Sequence, residues 1–217
     1  MVLEASVDFS DISISPTPRV GGSRAFWVWK RGFDVVGALA LLPIVLVCMV
    51  ALVLLNPFLN PGAVFFSQVR MGRGCKPFTA YKFRSMRAAG QPARGTEEPL
   101  EHDRITRFGK FLRKTRIDEL PQVFNVLRGE MSLIGPRPDY IHHARSYLRQ
   151  IPEYRRRHDV RPGISGYSQV HLGYVIGTEA TRDKTRGDLH YIQNAGFAMD
   201  LQLVLGTVRT VLTQSGA

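Results

Sequence analysis

Val35 to Leu55 reads VVGALALLPIVLVCMVALVLL, 21 residues without a charge, which meets the roughly 20 apolar residues a membrane-crossing helix needs. A core helix of that length and uniformity is not expected, so the segment reads as an anchor. About thirty residues precede it instead of a short basic leader, and no small-residue cleavage site follows, so a removable signal peptide is not expected. Pro43 leaves eight residues before it and twelve after. A proline inside a helix removes a hydrogen bond and kinks it. At about 1.5 Å per residue the two halves reach roughly 12 and 18 Å, so neither alone crosses a ~30 Å hydrocarbon layer.

A kinked span and a re-entrant hairpin of two half-helices both fit that arithmetic. Flanking charge favours re-entry. Lys30 and Arg31 stand before the run, while Arg70, Arg73, Lys76, Lys82, Arg84 and Arg87 follow it with no acid between Asn56 and Arg87. Cations near both ends suit a segment whose two ends stay on the cytoplasmic face. Residues 1–29, with their Ser, Pro and Gly, read as a flexible tail.

The chain of 217 residues carries a formal charge of +11, and residues 1–34 are balanced, so the excess lies after them. An anionic partner is implied: nucleic acid, anionic lipid or a phosphorylated substrate. Cys48 and Cys75 form no zinc spacing and no disulfide framework, which favours a reducing, cytosol-facing location. The six histidines show no metal-binding spacing, and no Walker loop, dinucleotide fingerprint or internal repeat is present.

After the anchor, VFFSQVR (64–70) and PFTAYKFRS (77–85) are β-branched and aromatic, and the MGRGCK between them holds two glycines. This predicts a hairpin with basic side chains at its turn and on its second strand. Residues 88–102 are rich in breakers and read as a mobile loop. In RITRFGKFLRKTRI (104–117), Ile105, Phe108, Phe111 and Leu112 recur at helical spacing among cations. That fits a helix with a solvated basic face, or one lying on a membrane surface with its cations toward lipid phosphates. The C-terminal stripe of Leu201, Val204, Leu205, Val208, Val211 and Leu212 is core packing or interfacial seating. YRRRH (154–158) reads as a solvated face.

RIDELPQVFN (116–125) sets Asp118 and Glu119 side by side in this basic context. With Pro121 in an early turn and Gly129 just past the end, the pair falls at a helix N-terminus, whose dipole favours ionised acids. Capping by Asp118 would account for it without chemistry. Gly135-Pro136-Arg137-Pro138 and Arg161-Pro162-Gly163 are two rigid turns, each aiming one arginine. They are plain turns or, taken with Lys82 and Arg113, parts of a polyphosphate site.

The pieces, in this order, resemble the bacterial sugar transferase family, the monotopic phosphoglycosyl transferases, in its small single-domain form. The resemblance runs from Lys30-Arg31-Gly32-Phe33-Asp34 to about Leu212 and rests on QVRMGRGCKPFTAYKFRSM (68–86), LRKTRIDELPQVFNVLRGEMSLIGPRP (112–138), VRPGISGYSQV (160–170) and KTRGDLHYIQNAGFAMD (184–200). It implies an α+β fold anchored by a re-entrant helix broken at Pro43, with amphipathic interfacial helices and a small β-hairpin or sheet around the active site. Residues 1–29 would be the tail, 30–60 the re-entrant helix and 61–217 the cytosolic catalytic domain.

The resemblance further implies transfer of a sugar 1-phosphate from a UDP-sugar to undecaprenyl (polyprenyl) phosphate at the cytoplasmic face of the bacterial inner membrane, starting exopolysaccharide or other glycan assembly. Asp118 would be the nucleophile, with an aspartyl phosphosugar intermediate and UMP as product, and Glu119 would help hold Mg²⁺. Lys82, Arg113, Arg137 and Arg161 would bind phosphates or nucleotide. Membrane lipids are expected partners, nucleic acid is not, and a homo-oligomer is compatible with the sequence. Two departures stand out: Leu42 precedes the anchor proline where a serine is frequent, and His171-Leu172-Gly173 stands where Asn-Gly-Arg is usual. The competing classes are a membrane-anchored basic module for nucleic acid and an inactive scaffold for glycan assembly; no nucleic-acid motif accompanies the charge.

Overall fold

The computed structural model describes residues 20–87, 95, 98, 101–173 and 177–213. The loop expected over 88–102 therefore lies largely outside the described residues, as does most of the expected tail. The elements in chain order are α1 (Arg24–Leu59), β1 (Phe65–Met71), β2 (Pro77–Phe83), α2 (Arg107–Lys114), α3 (Val123–Leu127), β3 (Ser132–Ile134), α4 (Ile141–Gln150), β4 (Gly163–Ser165), α5 (Tyr167–Leu172), α6 (Thr178–Gln193) and α7 (Phe197–Leu212), with 3₁₀ turns between several of them. The class is mixed, mostly helical, with two small sheets.

Helix α1 begins inside the segment read as a tail. Ser23 caps it by accepting from the Phe26 amide at 3.1 Å, and Phe26 and Trp29 pack edge-on against Phe197 of α7, which gives this end a reason to order. The helix then continues through Pro43 and Pro57 as one element, so two separate half-helices are not observed. Its buried positions, Phe26, Lys30, Asp34, Ala38, Val45, Leu52 and Asn56, recur every four or seven residues along one face. Ala38, Val45 and Leu52 enter the main core with Phe78, Ala80 and Phe83 of β2, Leu112 of α2 and Val123 and Val126 of α3. The remaining faces stay apolar and exposed, among them Val36, Leu46, Val47, Leu54 and Phe58.

Both ends of α1 are tied to the same body. At the start, Lys30 forms a buried ion pair with Asp200 at 2.6 Å, and Asp34 accepts from the Ser132 hydroxyl and the Leu133 amide, each at 2.9 Å. At the finish, Asn60 Nδ2 donates to the Arg84 carbonyl at 2.8 Å and Arg84 donates back to the Asn60 carbonyl.

The expected hairpin forms, β1 and β2 pairing antiparallel from Phe65↔Phe83 to Met71↔Pro77. The second sheet joins the two rigid turns of the sequence: β3 and β4 run parallel, Ser132 opposite Gly163 and Ile134 opposite Ser165. A Cβ on Gly163 would stand 2.1 Å from the Gly135 nitrogen, so the backbones touch at a distance only glycine allows. The turn carrying Arg137 is thereby braced against the one carrying Arg161.

Two expectations change in detail. YRRRH falls in a 3₁₀ turn over Pro152–His158, and Arg155 is exposed as expected, but Arg157 and His158 are buried. Arg157 finds two carboxylates within reach, which is what makes a buried guanidinium tolerable. The C-terminal stripe is largely outward-facing: Phe197, Leu201, Leu205, Val208 and Leu212 are exposed, and only Leu203 and Asp200 are buried. Val204 packs against the core beside Leu203, so core packing holds for only that part of the stripe.

Candidate active site

Asp118 and Glu119 lie in the first turn of a 3₁₀ segment, Ile117–Gln122, that runs directly into α3. Asp118 is not the cap: the chain enters through Arg116 in the left-handed region, at φ 58° and ψ 12°. The segment is held to the hairpin by Asn125, a fully buried residue of α3. Its Nδ2 donates to the Thr79 carbonyl and to Glu130, both at 2.7 Å, and its Oδ1 accepts from the Tyr81 amide at 3.2 Å. The dyad thus faces β2, where Lys82 stands.

Both carboxylates are buried, Asp118 5% and Glu119 4% exposed, but their surroundings differ. Lys82 Nζ lies 2.7 Å from Glu119 Oε1. Arg137, on its braced turn, grips Glu119 with both terminal nitrogens, Nη1 at 3.0 Å from Oε2 and Nη2 on Oε1. Arg116 Nη1 adds a looser ion pair at 3.6 Å. Asp118 Oδ1, in contrast, has no hydrogen-bond partner among the described residues. Burial pushes the Asp118 carboxyl up to about 6, against the attraction of Lys82 and with the help of its negative neighbour Glu119. Burial also pushes on Glu119, but there Arg137 and Lys82 prevail and hold it well below the usual carboxylate range. Lys82 itself is driven down to about 8 by burial, in spite of Glu119. The helix dipole expected to favour ionisation of both acids is outweighed by burial at Asp118.

Two neighbouring carboxylates with ionisation pushed in opposite directions have different jobs open to them. Glu119 is locked as an anion. Asp118 is an oxygen with an open lone pair, ionised near neutral pH, among four cations: Lys82, Arg113, Arg116 and Arg137. Arg113, at the end of α2, acts electrostatically on Asp118 and makes one long contact, 3.7 Å from Nη1 to the Met86 sulfur, among the described residues. Such a cluster suits a group that is itself negatively charged.

The structure therefore brings Lys82, Arg113 and Arg137 together with the dyad. It does not bring Arg161. That residue donates from Nε to the Gly129 carbonyl at 2.8 Å, while Arg31 donates to the Val126 and Leu127 carbonyls at 2.7 and 3.1 Å. The two arginines satisfy the carbonyls left open at the end of α3, beside a cavity of about 360 Å³ whose lining does not include the dyad. Pro43 lies elsewhere again, bordering an apolar recess with Leu42, Val45 and Phe124.

Residues not singled out in the sequence support the site from behind. Arg157, 2% exposed, donates Nη2 to the Arg137 carbonyl at 2.7 Å and Nε to Asp188 at 2.9 Å, and Nη1 pairs with Asp139. Asp139 also accepts from Tyr154 and Lys184, at 2.7 and 2.5 Å. Burial raises the cost of ionising Asp139, yet Lys184 and Arg157 hold it far below its ordinary range. These partners are 15 to 45 residues away in sequence, so no local pattern points to them.

For a metal, the described residues contain no group of three or more Asp, Glu, His or Cys side chains placed to hold one. The dyad offers at most two carboxylates, one with an open oxygen. Mg²⁺ is commonly held by one or two carboxylates with the balance supplied by substrate phosphates and water, and the donor set here fits that arrangement, not a closed protein cage.

Residues 25–214 match the family described as bacterial sugar transferase. The chain is 46% identical over 189 residues to the UDP-N-acetylgalactosamine-undecaprenyl-phosphate N-acetylgalactosaminephosphotransferase of Aeromonas hydrophila, covering 87% of this chain and 44% of that protein. It is 40% identical over 205 residues to the UDP-glucose:undecaprenyl-phosphate glucose-1-phosphate transferase of Caulobacter vibrioides, covering 93% and 75% of the two chains. It is 38% identical over 193 residues to the exopolysaccharide production protein PSS of Rhizobium leguminosarum, covering 86% and 96%. This chain thus spans under half of the first relative and nearly all of the third.

Proposed function

The chain belongs to the bacterial sugar transferase family, and from that premise we propose that it is a phosphoglycosyl transferase moving a sugar 1-phosphate from a UDP-sugar to undecaprenyl phosphate, the first step of exopolysaccharide or related glycan synthesis. The observation that carries this reading is Asp118: a buried carboxylate with one unpartnered oxygen, ionised above about pH 6 and surrounded by cations.

A carboxylate is nucleophilic without a base once it is ionised. Asp118 attacks the β-phosphorus of the donor, the bond from that phosphorus to the bridging oxygen breaks, and the electron pair leaves with UMP. The product is a phosphosugar ester on Asp118. An oxygen of undecaprenyl phosphate then attacks the same phosphorus and returns the electron pair to the carboxylate, giving undecaprenyl diphosphosugar. Lys82 and Arg137 hold Glu119 in place and offset the charge of the incoming diphosphate, and Arg113 stands beside the nucleophile. Glu119 would hold Mg²⁺ together with the donor's phosphates, which leaves the open oxygen of Asp118 for attack. That ion would neutralise charge on the transferring group.

The direct test is UMP release by purified, detergent-solubilised protein given Mg²⁺, undecaprenyl phosphate and a panel of UDP-sugars. Release dependent on undecaprenyl phosphate supports the reading, and silence with every donor removes it. The pH profile is a second expectation. Below about 6 the free enzyme binds a proton on Asp118 and loses its nucleophile, so kcat/KM should fall about tenfold per pH unit. Above about 8 Lys82 loses its proton, so the rate should fall again. A profile flat from pH 5 to 9 would separate these groups from the chemistry.

For the membrane we propose that α1 enters and leaves on one face. Support comes from its ends, which are both tied to the catalytic body through Lys30–Asp200 and Asn60–Arg84, and from an exposed surface too apolar for water. The outward stripe of α7 and the exposed Phe111 of α2 among Arg107, Lys110 and Lys114 would lie on the lipid surface beside it. With Cys48 and Cys75 replaced, single cysteines at Ser23 and the exposed Ala63 should both be labelled by an impermeant maleimide only from the cytoplasmic side. Labelling of one from the opposite side would mean that α1 crosses.

A further inference from the structure

We infer that Arg116 contacts the diphosphate of the nucleotide-sugar donor, a role no motif in the sequence assigns to it. The inference deepens the proposed function and rests on it.

Three observations converge on this residue. The first is its backbone. Arg116 is one of two non-glycine residues with positive φ among those described, the other being Cys75 in the hairpin turn. A side-chain-bearing residue adopts the left-handed region at a steric cost that glycine would avoid. Strain of this kind gathers at functional sites, where the surroundings hold it in place. Here it falls two residues before Asp118 and turns the chain into the dyad segment.

The second is the state of its donors. A guanidinium has five N–H groups, and among the described residues none of those on Arg116 makes a hydrogen bond. Its nearest acid is Glu119 Oε2, at 3.6 Å, beyond hydrogen-bond range, and that carboxylate is already held by Lys82 at 2.7 Å and by the two-pronged grip of Arg137. Removing Arg116 would leave Glu119 well partnered. The guanidinium is nevertheless in electrostatic reach of both Asp118 and Glu119, and its side chain is 22% exposed. It borders the dyad with its hydrogen-bonding capacity unused.

The third is the charge the reaction brings in. A nucleoside diphosphate must approach two adjacent carboxylates, one of them permanently ionised. Cations with free donors are needed to bind it, and a planar fork suits two phosphate oxygens. Arg137 and Lys82 commit hydrogen bonds to Glu119, and Arg161, the other arginine expected on phosphate, caps the end of α3 instead. Arg116, and Arg113 apart from its long contact to the Met86 sulfur, are the arginines near the dyad with donors left for a ligand, and they stand two and five residues before the nucleophile.

Glycine is the informative replacement. Arg116→Gly removes the guanidinium and fits the left-handed backbone, so a loss of binding cannot be ascribed to misfolding. With the full chain in detergent and Mg²⁺, UDP binding by calorimetry and donor KM by UMP release should both weaken roughly ten- to hundredfold, the range of a lost charge-assisted hydrogen bond. The melting temperature should stay level or rise. Arg116→Lys, which keeps the charge and loses the fork, should fall between glycine and wild type. UDP affinity within twofold of wild type in Arg116→Gly overturns the inference. So does a fall in kcat with KM and UDP affinity unchanged, which would mean that Arg116 acts only through Glu119. Wild-type protein that binds UDP, loses that binding in Arg116→Gly and releases no UMP would refute the transferase reading and leave the diphosphate contact standing; wild-type protein that does not bind UDP refutes both.

Discussion

Asp118→Asn is expected to abolish UMP release, lowering kcat by on the order of 10⁴-fold or more, while the protein stays folded and membrane-bound. Loss of an enzyme's nucleophile has effects of that order, because the remaining groups cannot form the covalent intermediate. The same change should stabilise the fold. Asp118 is ionised at pH 7 although burial pushes its carboxyl up to about 6, above the 3.8 of an unburied group. A folded value above the unfolded one means that the ionised form destabilises the native state at neutral pH, by up to about 3 kcal/mol at 1.36 kcal/mol per unit. That cost fades as pH falls from about 6 toward 4, where the folded protein takes up its proton first. A neutral amide escapes it at every pH. Activity and thermal melting measured together at pH 7.5 therefore make a sharp test: loss of turnover with an equal or higher melting temperature is expected. A variant with turnover within tenfold of wild type would show that Asp118 is not the nucleophile.

Arg157→Leu is expected to have the largest effect on stability. The side chain is buried between Asp139 and Asp188 and also holds the Arg137 carbonyl. Removing it leaves two acids without their shared cation, and breaking one partner of a buried charged pair costs about 3–5 kcal/mol. In a chain of this size that lowers the melting temperature by roughly 10 °C. Activity should fall as well, by roughly 10²-fold, since Arg137 grips Glu119 and misplacement by about an ångström near reacting groups has effects of that size. Arg155→Leu, two residues earlier and exposed, serves as the control and should stay within about 0.5 kcal/mol of wild type. Equal melting temperatures for the two variants would mean that the buried network is replaceable by packing.

The contrast between these two arginines marks where sequence reading ends. YRRRH presents three arginines in a row, and nothing local distinguishes the one that meets Asp139 and Asp188 from the one that meets water. The same limit applies to Arg161 and Arg116. Arg161 stands in a rigid turn with the look of a phosphate ligand, yet its Nε reaches the Gly129 carbonyl. Arg116 looks like one more cation in a basic helix, yet the left-handed backbone delivers it to the dyad. Asn125, which ties the dyad segment to β2, carries no motif at all.

The 21-residue apolar run, the glycine-containing turn between two aromatic strands, the acidic pair before Pro121 and the two proline-braced arginine turns were all readable in order. They identified a long apolar helix, a hairpin and the acidic pair because each depends on local spacing and local backbone preference, which a chain carries with it. The tertiary structure decided which cations reach Glu119, why Asp118 keeps an open oxygen where Glu119 does not, that both ends of α1 rest on one body, and which face of α7 is left bare. Those outcomes depend on contacts between residues tens of positions apart, and on burial, which sets the ionisation of a carboxylate only once the chain has closed around it.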